Sequence, residues 1–101
     1  KKVAILTSQM GARNGGKTPT GTYGKSKCFL NDKFREHEPE WRALGATSIV
    51  IHPGWVATDM GGASAPISVT ASAAGIYKTL ENLSANKSGS FLTWEGNPHP
   101  W

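Results

Sequence analysis

Three short runs of apolar and β-branched residues constrain the fold of this chain more than anything else in it. They are Val3-Ala4-Ile5-Leu6, Thr47-Ser48-Ile49-Val50-Ile51 and Ser90-Phe91-Leu92-Thr93-Trp94. Runs this short and this apolar read as buried strands. The segments between them are helical in period and too long for a hairpin. Residues 22–44 place Leu30, Phe34, Trp41 and Leu44 on one stripe, and Gly45 stops it. A second stripe, Val69, Ala73, Ile76, Leu80 and Leu83, follows Ser68, a residue suited to cap a helix, and ends at Lys87-Ser88-Gly89. The order is therefore β-α-β-α-β. Two right-handed crossovers make a parallel three-stranded sheet.

The expected strands lie near residues 3–8, 47–52 and 90–94, and the helices near 22–44 and 68–86. Residues 11–21, rich in glycine and polar side chains, read as a loop, and Pro98-His99-Pro100-Trp101 as a rigid tail. Pro39 falls inside the first helical stripe. A proline there removes a hydrogen bond and crowds the preceding turn, so the helix is expected to end near Glu38 and restart, or to kink.

At 101 residues there is room for one small domain, residues 1–101, with a modest core. No apolar run is long enough to span a bilayer, and no signal peptide opens the chain, so no membrane is expected. The single Cys28 excludes an internal disulfide and fits a reducing, cytoplasmic setting. The net charge is +4, but the lysines and arginines are scattered among acids, so no nucleic-acid partner is expected.

The chemistry centres on Tyr23-Gly24-Lys25-Ser26-Lys27. On a helix, Tyr23 and Lys27 stand one turn apart on one face. A phenol handles protons poorly at neutral pH unless a neighbouring cation favours its phenolate. Ser8, at the end of the first strand, has a hydroxyl suited to hold a carbonyl oxygen beside the phenol. A tyrosine and a lysine four apart occur on many solvated faces, so the spacing alone carries nothing. The context carries it: Ser8 ends a strand, Gly11 follows, Tyr23 opens the next helix, and the next strand ends in Pro53-Gly54. That is the carboxyl edge where parallel α/β sheets bind ligands. His52 reads as a strand-end histidine held by backbone and Cys28 as a small core residue; no metal site is expected. Trp41 and Trp94 read as packing residues.

These residues resemble the carboxyl-terminal, catalytic half of the short-chain dehydrogenase/reductase family. The branch of sniffer-type carbonyl reductases and C-factor-like proteins is indicated by His52-Pro53-Gly54-Trp55-Val56-Ala57-Thr58-Asp59-Met60-Gly61-Gly62, Ser88-Gly89-Ser90-Phe91, Trp94-Glu95-Gly96 and Pro100-Trp101. The resemblance implies a partial Rossmann-like (doubly wound) parallel sheet lacking the amino-terminal dinucleotide-binding half. It also implies an NAD(P)-dependent oxidoreductase of carbonyl reductase or alcohol dehydrogenase type. By resemblance, Tyr23 is the general acid-base, Lys27 binds the cofactor ribose and tunes Tyr23, and Ser8 orients the carbonyl. Pro53, Gly54, Val56 and Thr58 match the nicotinamide-contacting segment, while Met10, Trp55 and Met60 border a substrate pocket.

The cofactor implied is NAD or NADP, bound weakly or not at all by this chain alone. The implied partners are a small carbonyl or alcohol substrate, and either a second copy or the missing amino-terminal half. Asn14 and Asn31 do not stand where the family places its catalytic asparagine. Lys33, His37 and Pro39 stand where the family carries helix-forming, often apolar residues that pack against a partner subunit. A non-catalytic remnant or self-associating interaction module is the alternative.

Overall fold

The computed structural model describes residues 1–13 and 16–101. Within the expected loop, Asn14 and Gly15 lie outside the described residues. The elements are β1 (Lys2–Leu6), α1 (Thr22–Ala43), β2 (Thr47–His52), α2 (Val69–Glu81) and β3 (Phe91–Thr93), with short 3-10 turns at Gln9–Gly11 and Ala85–Lys87. The three strands are parallel in the order β1-β2-β3. Leu6 pairs with Ile51, and Val50 pairs with Phe91. The sheet is the one the apolar runs predict.

β2 is central, and its residues alternate between two layers. Val50 joins Phe34, Phe91 and Ala12 on the α1 face, with Ile5, Trp41 and Trp101 packed around them. Ile49 and Ile51 join Leu83 and Leu92 on the other face, flanked by Ala4, Ile76 and Leu80. Ile49, Val50 and Ile51 are wholly buried. Burial of each such side chain contributes roughly 1.5–3 kcal/mol. The strand is continuous in its apolar character because both faces are covered.

The helices differ from expectation in which residues they bury. α2 also ends earlier, at Glu81 with Asn82 as its cap rather than at Lys87-Ser88-Gly89, and a separate 3-10 turn over Ala85–Lys87 follows it. α1 buries Gly24, Cys28, Asn31, Phe34 and Glu38, so two polar side chains sit on its inner stripe. Leu44, expected on that stripe, is 81% exposed, because it lies just beyond the last helical residue, before Gly45 takes a φ of +92°. The helix does not end near Glu38: it runs unbroken through Pro39 to Ala43. Glu38, bonded to Arg42 and Ser88, holds this turn from inside. On α2, Val69 and Ala73 point to solvent and Ser72 is buried in their place. The Ser72 hydroxyl donates to the Pro53 carbonyl at 2.7 Å, which turns that face of the helix inward. The cap at Ser68 is as expected: its Oγ accepts from Ala71 N at 3.0 Å. Lys2 Nζ donates to the carbonyls of Leu80 and Glu81 at 3.0 Å each, tying the end of α2 to β1. Among the described residues no helix is long and apolar enough to cross a membrane.

Candidate active site

β1 and β2 end side by side, so the segments leaving them share one edge of the sheet. Thr7 N donates to Ile51 O at 2.9 Å and extends that pairing to the residue before Ser8. Ser8 is 7% exposed and caps the 3-10 turn after it, its Oγ accepting from Met10 N at 3.0 Å. The bond occupies a lone pair of the oxygen and leaves the hydroxyl hydrogen free to donate elsewhere.

Two glycines bring that turn onto α1. A Cβ on Gly11 would stand 2.7 Å from both the carbonyl carbon and Cβ of Lys27, and one on Gly24 would stand 2.7 Å from Met10 O. Any other residue at either position would push the serine turn off the helix. Tyr23, in the first turn of α1, is 39% exposed. Lys27 Nζ lies 5.8 Å from the centre of the Tyr23 ring, within reach of a cation–π attraction, and donates to Leu6 O at 3.5 Å. Ser8, Tyr23 and Lys27 are thus carried by two segments locked together by backbone contact.

The segment after β2 is built differently. Val56 and Ile67 form a bridge, closed by bonds from Ala57 N to Ile67 O and from Ile67 N to Trp55 O. Trp55, 55% exposed, donates its indole N–H to Gly61 O at 2.7 Å. Thr58 Oγ1 accepts from Gly61 N at 3.2 Å, a bond within its own loop that, as at Ser8, leaves the hydroxyl hydrogen free. Gly54 has a φ of +89°, and a Cβ there would meet Ile67 Cδ1 at 2.3 Å and Trp94 Nε1 at 3.0 Å. The glycine of Pro53-Gly54 therefore admits the protein's own side chains. Met10 and Met60 are 59% and 74% exposed.

A cleft of about 570 Å³ opens beside the serine turn, bordered by Gln9, Met10, Lys17, Gly21, Gly24 and His99. A second, of about 460 Å³, lies between α2 and β3 against Trp94. Neither is lined by Tyr23 or Lys27. His52 is engaged by backbone, as its strand-end position implies: its Nδ1 accepts from Gln9 N at 3.2 Å. Cys28 is a buried free thiol. Among the described residues no group of three or more His, Cys, Asp or Glu is arranged to hold a metal ion.

The chain is 35% identical to C-signal of Myxococcus xanthus, over all of this chain and 61% of that protein. Its fold matches the NADPH-bound carbonyl reductase from chicken fatty liver with a TM-score of 0.87 at 34% identity, covering 99% of this chain and 42% of that one. The carbonyl reductase Sniffer of Drosophila melanogaster matches with a TM-score of 0.89 at 32% identity, over 99% of this chain and 41% of that one. The chain belongs to the short-chain dehydrogenase/reductase family. It spans between 41% and 61% of the length of these short-chain dehydrogenase/reductase relatives. No protein-family model matches it.

Proposed function

We propose that this chain carries the proton-handling half of an NAD(P)-dependent carbonyl reductase or alcohol dehydrogenase. In this reading it acts together with an amino-terminal dinucleotide-binding half. The observation that carries it is the double glycine contact, Gly11 on Lys27 and Gly24 on Met10, which fixes the Ser8 turn against the first turn of α1. Such tight backbone packing is needed where a hydroxyl and a phenol must be held in a constant relation.

The donor set fits the nicotinamide-ribose end of a dinucleotide. Lys27 offers an ammonium beside an exposed strand end, and Pro53, Gly54, Val56 and Thr58 offer backbone along the same edge. When bound there, the nicotinamide would supply the hydride that the substrate carbonyl carbon receives. Ser8 donates a hydrogen bond to the carbonyl oxygen and holds it. Tyr23 gives that oxygen its proton, and Lys27 favours the phenolate left behind. Met10, Trp55 and Met60, exposed around this edge, are the apolar surfaces available to a small substrate.

The test is NADPH oxidation, with a small carbonyl compound, by the chain assembled with a dinucleotide-binding half. Tyr23→Phe removes only the transferable proton and should lower kcat by a factor on the order of 10²–10⁴. Parental activity in Tyr23→Phe would refute the assignment.

Association alone is the second reading, favoured by one observation. β1 is an edge strand, with Leu6 54% exposed and one side of its backbone unpaired in the sheet. A bare apolar edge favours pairing with another segment, whether a dinucleotide-binding half or a second copy. Light scattering that finds a stable, isolated monomer would count against it.

A further inference from the structure

The turn that presents Ser8 is held partly from within. Met10 N donates to Ser8 Oγ, Gly11 N to Ser8 O and Ala12 N to Gln9 O, each at 3.0 Å. None of these bonds fixes the turn against the sheet. Two donors do reach outward. Arg13 N donates to the Trp101 carbonyl at 2.6 Å, and Gln9 N donates to His52 Nδ1 at 3.2 Å. The second anchor is adjacent to Ser8 and comes from the last residue of β2, the central strand. A backbone N–H can only donate, so Nδ1 is the unprotonated nitrogen and the ring proton sits on Nε2.

We propose that His52 is a positioning residue whose neutral ring holds Gln9, and through it the Ser8 hydroxyl, in place at the carboxyl edge of the sheet. The proposal rests on the role given to Ser8 in the proposed reaction. The surroundings favour the neutral ring. His99 stands edge-on at 5.9 Å between ring centres, and Phe91 stacks on His99 at 4.4 Å. Burial, followed by the neighbouring His99, holds the His52 pKa below its ordinary 6.5. Among the described residues His99 is the only ionisable group acting on it.

A histidine with a lowered folded pKa binds protons less readily folded than unfolded. Stability contributed by the neutral ring is complete above about 6.5 and falls as pH drops below that value. An imidazolium would set N–H against the Gln9 N–H. Acid should therefore loosen the serine turn as the pH falls through the folded-state pKa of His52, which lies below 6.5.

The experiment compares parent, His52→Leu and His52→Asn in the chain assembled with a dinucleotide-binding half. An asparagine side chain at this position is uncharged and offers an acceptor oxygen near the place of Nδ1. His52→Leu should lower kcat by about tenfold to a hundredfold with the KM for NADPH unchanged. His52→Asn should recover most of that loss and abolish the acid limb of the kcat profile. Amide hydrogen exchange at Gln9, read by NMR, should speed up at least roughly tenfold in His52→Leu and return towards parent in His52→Asn.

Parental kcat or parental Gln9 exchange in His52→Leu would overturn the proposal. If His52→Leu does not fold, an acid limb unchanged in His52→Asn would do so. If the parent turns over no carbonyl compound, the catalytic reading falls by itself, and Gln9 exchange still decides the bond to His52.

Discussion

The two ends of α1 are fastened to the sheet by opposite means. At the amino-terminal end the contacts are made by backbone: Gly24 lies on Met10 O, Gly11 lies on Lys27, and Gly21 caps the helix with no side-chain bond. At the carboxyl-terminal end they are made by side chains. Glu38, 3% exposed, accepts from Ser88 Oγ and from Arg42, each at 2.7 Å. Ser88 Oγ in turn accepts from Ser48 N at 3.0 Å, so α1, β2 and the approach to β3 share one network. The difference has a chemical consequence. Where backbone does the fastening, the side-chain ends of Tyr23 and Lys27 take no part in the glycine contacts and stay available for the proposed chemistry; where side chains do it, Glu38 and Ser88 are taken up by the network.

Loss of the side-chain anchor should have the largest effect on stability. Glu38→Ala removes a charge-assisted bond, leaves a void beside Gly89, and should destabilise by about 2–4 kcal/mol. Chemical denaturation measures it, and a loss below about 0.5 kcal/mol would show the network to be incidental. Gly11→Ala tests the backbone anchor. The added methyl has no room beside Lys27, so destabilisation of about 1–3 kcal/mol is expected, with activity of the assembled enzyme falling alongside. An alanine accepted at full activity would break the contrast between the two ends. Gly21→Ser should act in the opposite direction and least. Its φ of −76° suits an ordinary cap residue and nothing lies within 4 Å of its Cβ position. A gain of about 0.5–1 kcal/mol is expected by denaturation, and a loss would mean the uncapped end is occupied.

The same contrast decides what could be read from the sequence. The strands, the Ser68 cap and the order Ser8, Gly11, Tyr23, Lys27 follow from local rules, since each is a short-range pattern of period or spacing. The inner stripe of α1 does not. Asn31 and Glu38 look like outward-facing residues, and only their distant partners reveal otherwise: Thr7 Oγ1, which donates to Asn31 Oδ1 at 2.6 Å, and Ser88. For the same reason Val69 and Ala73 are expected inside and lie outside: periodicity ranks positions by side chain and cannot see where a bond turns the helix, while Leu44 lies outside because the helix ends before it. Gly54 is a site residue by resemblance, yet its smallness answers to Ile67 and Trp94, contacts that no local motif encodes. Trp101, read as part of a rigid tail, stacks on Phe34 at 6.3 Å and completes the α1-side core.

Calorimetric titration of NADPH into the 101-residue chain, with folding checked by circular dichroism, tests the division of labour between catalytic and dinucleotide-binding halves most directly. Most of the affinity for such a cofactor comes from pyrophosphate at a helix amino-terminus and from the adenosine pocket, which the chain's residues do not supply in this reading. The folded chain alone should show weak or no binding, and the chain assembled with a dinucleotide-binding half should bind tightly. Low-micromolar binding by the chain alone would contradict it.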